Sequence, residues 1–175
     1  MTPATASRGA PATDPRRIFE VLARRRVDYV VIGGLAVVAH GHPRTTGDVD
    51  ILAALDRTNL KRLAAAFREL EARLSGVDAH LLGIDVYDPG VLGNGASFTL
   101  ETAAGGLDFF SEVPGGAPYA DLKRRAIAVD LGQGLTIRVV GFDDLIRMKA
   151  AAGRPEDLAD IAALTSSSSA PQTGR

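Results

Sequence analysis

A pair of adjacent glycines constrains this chain more than any other feature. Val27 to Ile32 is a run of strand-forming residues, and it stops on Gly33-Gly34. After thirteen further residues a second run opens, Asp48-Val49-Asp50-Ile51-Leu52, with strict alternation at its start. Leu35 to His40 between them reads as a short helix, so the unit is strand, di-glycine, helix, strand. Side chains two apart on a strand share a face, roughly 7 Å apart along the backbone. Asp48 and Asp50 therefore point the same way while Val49 points into the core. Two like charges on one face repel unless something positive lies between them. A divalent cation such as Mg²⁺ meets that need, because it takes carboxylate oxygens and leaves positions for phosphate oxygens. The di-glycine lets backbone approach a ligand closely and presents N–H groups at a helix start, where phosphate binds well. An isolated D-x-D reads more plainly as a capped turn on a solvated strand edge; its spacing from the di-glycine argues for chemistry.

The rest of the chain supplies layers around that pair. Asp14-Pro15 is a helix start, followed by Ile18, Val21 and Leu22 at helical spacing. Asp56 to Leu74 reads as one amphipathic helix carrying Leu60, Leu63, Ala64, Phe67, Leu70 and Leu74 on one face. Strands are predicted at Gly83 to Val86, Ser97 to Glu101 and Leu107 to Ser111, and a helix at Pro118 to Arg125. Ala126 to Leu131 and Leu135 to Val140 form a hairpin around Gly132-Gln133-Gly134. Two helices, Asp143 to Ala152 and Pro155 to Leu164, are separated at Gly153-Arg154-Pro155. The expected fold is α+β: a mixed central β-sheet flanked by α-helices, with a C-terminal helical pair, in one domain over residues 14–164. Residues 1–13 and the Ser-rich residues 165–175 carry too little apolar surface to offset their ordering entropy, and are expected to be disordered tails.

Composition excludes several functions. Cysteine is absent, which removes disulfides, thiolate zinc sites and thiol catalysis. No apolar run reaches the ~20 residues of a membrane span, and the N-terminus lacks a signal-like apolar core. A cytoplasmic protein with no membrane partner is the expectation. The net charge of -1 gives no global field for nucleic acid. The clusters Arg24-Arg25-Arg26, Lys61-Arg62 and Lys123-Arg124-Arg125 are solvated helix faces or local grips; were the acceptor RNA, the third run would hold it. P-loop, Rossmann and nucleophile-elbow patterns are missing. His40 and His42 have only His80 as a further imidazole, so His40 reads better as a helix-ending residue than as a zinc ligand.

Gly33-Gly34, His40-Gly41, Pro43-Arg44-Thr45-Thr46 and Asp48-Val49-Asp50-Ile51 together resemble the signature of the nucleotidyltransferase superfamily, most of all its minimal bacterial AbiEii/MenT-type toxins. Leu107-Asp108-Phe109-Phe110 with Val113-Pro114-Gly115 resembles the strand bearing the superfamily's third carboxylate. Leu145-Ile146-Arg147-Met148-Lys149 and the stretch Ala152 to Ile161 resemble its C-terminal helices, so the likeness runs from Val27 to Leu164. One departure is that many members have Gly-Ser where this chain has Gly33-Gly34, so backbone amides must replace a hydroxyl.

The resemblance implies a Mg²⁺-dependent enzyme that moves a nucleoside monophosphate from an NTP, ATP among them, onto a hydroxyl and releases pyrophosphate. Asp48, Asp50 and Asp108 would hold two Mg²⁺ ions, and Asp108 would also help deprotonate the nucleophile or bind the metal that does so. By itself Asp108 is an ordinary strand-edge acid. Gly33, Gly34, Arg44, Thr46 and Lys149 would contact the nucleotide. Lys149 otherwise reads as a snorkelling surface lysine, and Arg44 as a helix cap. Asp157 would orient Lys149 or support the packed C-terminal helices. Thr46 is implied as a site of silencing modification; its alternative is a turn threonine bonded to nearby backbone. The setting implied is the toxin of a toxin–antitoxin pair, with a cognate antitoxin as partner and a tRNA 3′ end as acceptor. Transfer to a small molecule such as an antibiotic, and a catalytically silent binding module, are the other two readings.

Overall fold

A computed structural model describes residues 12–76 and 79–168; most of both expected tails, 1–11 and 169–175, lies outside the described residues. Asp14 caps α1 (Pro15–Arg24), its carboxylate accepting from the Arg17 amide, with proline at the first helical position. The chain then runs through β1 (Tyr29–Val31), α2 (Gly33–Ala39), β2 (Asp48–Ala53), α3 (Arg57–Glu69) and β3 (Arg73–Leu74). A 3₁₀ turn at Ala79–Leu82 and a short α4 (Pro89–Leu92) lead to β4 (Phe98–Thr102) and β5 (Gly105–Phe110). After α5 (Tyr119–Arg125) come β6 (Ile127–Asp130), β7 (Thr136–Val139), α6 (Phe142–Ala152) and α7 (Pro155–Ser168).

The strands form one seven-stranded mixed sheet in the order β3-β4-β5-β2-β1-β7-β6. β1 is antiparallel to β2 and parallel to β7, and β2 is parallel to β5. The expected α+β architecture, hairpin and C-terminal helical pair are all present. Strand alternation separates the two faces of the sheet. Val49, Ile51, Leu107 and Phe109 are fully buried in the core that also takes Ile18 and Leu22 of α1 and Leu63 and Phe67 of α3. The Phe67 ring meets Phe109 edge-on at 6.1 Å. The residues between them, Asp48, Asp50 and Asp108, therefore emerge on the opposite face. Among the described residues no helix is long and apolar enough to cross a membrane.

Four local expectations need correction. The helix predicted from Asp56 to Leu74 ends at Glu69, with Asp56 as its cap. Glu71 turns into the left-handed region at φ 54, and Arg73-Leu74 becomes an edge strand against Leu100 and Glu101. Gly83 to Val86 is not a strand: Gly83 has φ +63, and the Asp85 carboxylate accepts from the Tyr87 amide in a tight turn. The helix expected to end at Leu164 continues to Ser168. Thr13, assigned to a tail, is tied to the sheet: its hydroxyl donates to the Gly47 carbonyl and accepts from the Gly106 amide.

Candidate active site

Parallel register places Asp48 opposite Gly106 and Asp50 opposite Asp108, which brings the three predicted carboxylates to one end of the β2–β5 pair. Two glycines make room for them. A Cβ at Gly106 would stand 1.7 Å from Asp48 Oδ1, and one at Gly33 would stand 2.0 Å from Asp50 Oδ2. Gly33 also has φ +65, where a side chain is strained. Burial pushes the Asp50 carboxyl up to about 6; Asp108 and Asp48 add to the rise, while the Gly34 amide and Lys149 oppose it. Asp108 is raised by burial and by Asp48, against a hydrogen bond from Thr99 across the sheet on β4. Its Oδ1 is buried with no hydrogen-bond partner.

These carboxylates are short of positive charge. An orphaned buried oxygen, two raised carboxyls and glycine-lined space for acid side chains fit a hard, oxygen-seeking cation such as Mg²⁺. Among the described residues no group of three or more Asp, Glu or His side chains is arranged to hold a metal ion. The di-glycine serves the acids more directly than the sequence implied: the Gly34 amide is bonded to Asp50.

The three acids form one wall of a cleft of about 460 Å³, and basic side chains line the other. Lys149, only 5% exposed on α6, places Nζ 2.8 Å from Asp157 Oδ1 and 2.8 Å from Asp160 Oδ2 of α7. Burial pushes Asp157 upward, but hydrogen bonds from Arg154 and Lys149 outweigh it and hold the carboxyl at about 2. Arg44 reaches Asp160 at 2.5 Å, and Arg154 reaches Asp157 at 2.7 Å. Asp157 is thus ion-paired with Lys149 across the two packed C-terminal helices. Arg44 is anchored to α7 and to the Thr45 carbonyl, not to the end of α2. Instead, His40 sits at that end, with Nε2 2.8 Å from the Val140 carbonyl. Thr46 lines the cleft, and its hydroxyl donates to the Asp48 carbonyl at 3.1 Å. It also fills the space beside Gly34, where a Cβ would meet Thr46 Oγ1 at 2.7 Å.

Sequence reasoning missed Arg154 and Asp160. Asp160 carried a signal, since it lies one helical turn from Asp157 and both face the preceding helix. The run Lys123-Arg124-Arg125 is not a free basic grip: Lys123 pairs with Asp28, Arg124 with Asp121, and Arg125 with buried Asp144.

No protein-family model matches the chain, and no curated protein matches it by sequence. Solved structures do match it. A candidate nucleotidyltransferase of Thermotoga maritima superposes with a TM-score of 0.53 at 17% identity, covering 87% of this chain and 91% of its own. ANT(2″)-Ia in complex with adenylyl-2″-tobramycin gives 0.54 at 17% identity, covering 87% of this chain and 86% of its own. The solution structure of the same antibiotic-resistance factor gives 0.54 at 16% identity, covering 87% and 81%. The chain therefore has the nucleotidyltransferase fold.

Proposed function

We propose that this chain is a nucleotidyltransferase that moves a nucleoside monophosphate from an NTP onto a hydroxyl, with release of pyrophosphate. The observation that carries the reading is one cleft with Asp48, Asp50 and Asp108 on one wall and Lys149, Arg44 and Arg154 on the other. Two Mg²⁺ ions held by the three carboxylates would neutralise the triphosphate and acidify the attacking hydroxyl. Lys149 uses two of its three N–H donors on Asp157 and Asp160, which leaves one for a phosphate oxygen. Asp157 and Asp160 fix where that donor points. Asp108 lines the cleft and has an unpartnered Oδ1, and would help take the acceptor's proton. Thr46 lines the same cleft beside Gly34, and its hydroxyl would serve as a control point as well as a turn contact.

A small alcohol, such as an aminoglycoside hydroxyl, has the support of ANT(2″)-Ia, a fold relative with an adenylylated tobramycin bound. A tRNA 3′ end, in a toxin paired with an antitoxin, rests on the sequence motifs, and the run Lys123 to Arg125 that would grip RNA is tied up in ion pairs. The test incubates the protein with each labelled NTP, Mg²⁺, and either total RNA or an aminoglycoside panel. Labelled RNA selects the toxin reading, and a labelled aminoglycoside selects the small-acceptor reading. No adduct and no pyrophosphate with any NTP would overturn transferase activity and leave a silent binding module.

A further inference from the structure

A second cleft, of about 410 Å³, opens at the other end of β1. Arg26 at the end of α1, Asp28 before β1, Arg62 of α3, Lys123 of α5, and Thr136 and Arg138 of β7 line it. Asp28 and Gly33 bracket β1, so the cleft lies roughly 15 Å from the di-glycine at ~3.3 Å per strand residue. Asp28, the one acid in its wall, is already neutralised. The Tyr119 hydroxyl donates to Asp28 Oδ1 at 2.8 Å, and Lys123 Nζ lies 2.6 Å from Oδ2. That pairing leaves three arginines over.

Many arginines of this chain meet acids: Arg24 and Arg25 meet Glu69, Arg44 meets Asp160, Arg125 and Arg147 meet Asp144, and Arg154 meets Asp157. Among the described residues Arg17, Arg57 and Arg73 meet none, but they are scattered, whereas this cleft gathers three arginines without an acid partner. Among the described residues, Arg26 and Arg138 make no side-chain hydrogen bond or ion pair. Arg62 reaches only the Arg26 backbone carbonyl, at 3.3 Å. Three exposed guanidinium groups around one cleft give it a positive potential, screened by water and salt, which an anion entering the cleft would meet. A chain with net charge -1 has no general excess of cations that would put them there by default. Guanidinium donors in a planar fork match phosphate oxygens in geometry and charge, and the exposed Arg26, Arg62 and Arg138 are free to turn onto one.

We propose that this cleft is a second anion site that takes a phosphate group, separate from the acid-lined cleft. The inference does not rest on the nucleotidyl-transfer reading. The phosphate comes either from a free phosphate or pyrophosphate ion, or from the backbone of a nucleic acid. The test is a ¹⁵N amide NMR titration of the full chain at low ionic strength, without Mg²⁺, using inorganic phosphate and then pyrophosphate. Shifts are expected at Arg26, Asp28, Arg62 and Arg138. Arg138→Gln and Arg62→Gln should each weaken that binding about tenfold. Both residues are exposed, and an unchanged circular dichroism spectrum confirms that the variants fold. A short oligonucleotide that displaces pyrophosphate from these amides identifies a phosphodiester source; one that fails while pyrophosphate binds identifies a free ion, and either supports the site. Shifts confined to Gly33, Gly34 and Thr46, or binding at the second cleft that neither variant weakens, would overturn it.

Discussion

Replacing Lys149 by Met tests whether the basic wall of the acid-lined cleft is held together as described. Met nearly matches the lysine stem in volume, so the change removes charge without opening a cavity. It leaves Asp157, 1% exposed, and Asp160, 5% exposed, without the ammonium 2.8 Å from each. Deleting one partner of a buried ion pair costs about 3–5 kcal/mol. Arg154 still holds Asp157 and Arg44 still holds Asp160, so the expected loss at pH 7 falls to about 2–3 kcal/mol. The sign of the pH dependence follows from Asp157, which the native fold holds at about 2. Its pairing favours folding above the unfolded carboxylate range, near pH 4, and that contribution fades as pH falls through about 2. In the variant the carboxyl rises and can take a proton within the fold. The gap between variant and parent should therefore hold from pH 7 to about 4 and shrink as pH falls from there towards about 2. Urea unfolding across that range measures it. A loss below about 0.5 kcal/mol at pH 7, or a gap that ignores pH, refutes the network.

Asp50 gives the opposite sign. Its folded carboxyl stands at about 6, above the unfolded value, so the ionised group costs stability that is recovered as pH falls. Asp50→Asn should raise metal-free stability at pH 7 by about 1–3 kcal/mol while abolishing transfer, read by calorimetry and pyrophosphate release; a lowered Tm contradicts this. Gly33→Ala should cost about 1–2 kcal/mol for its φ of +65 and displace Asp50 from 2.0 Å away, cutting transfer at least ~100-fold with an unchanged circular dichroism spectrum. Retained turnover would show that Asp50 has room elsewhere. Thr46→Glu should weaken NTP binding at least ~10-fold without unfolding, whereas Thr46→Val keeps partial activity; parental binding in Thr46→Glu makes Thr46 a turn residue only.

The strand, di-glycine and D-x-D unit was legible because local rules govern each part of it: alternation set the facing of Asp48 and Asp50, and only glycine fits at Gly33. The end of α3 was not legible. Glu69 to Leu74 continues the helical pattern with no Gly or Pro, and what stops it is tertiary. Leu70 and Ala72 are buried, and the Ala103 amide donates to the Leu70 carbonyl. Gly83 to Val86 misled for the reverse reason, since an apolar alternation two residues long cannot outweigh a turn closed by Asp85. Lys123 to Arg125 looked like a free patch because a sequence shows where charges cluster, not which carboxylates fold against them. Arg154 gave no signal at all, as its value arises only when α7 docks beside α6.

The parallel pairing of β2 with β5 has a consequence for how the molecule comes to exist. Asp50 and Asp108 face each other across adjacent strands but lie fifty-eight residues apart in the chain, and Lys149 lies further on still. Such a contact is late by necessity, because a long loop must close before the pairing returns any stabilisation. During synthesis the first strands can leave the ribosome and begin to collapse while half of the cleft is still untranslated. The acid wall is also its least willing part, since two of its carboxyls are pushed above their ordinary range. The acid-lined cleft is therefore completed late in the nascent chain, after Lys149 has joined the strands that carry Asp50 and Asp108.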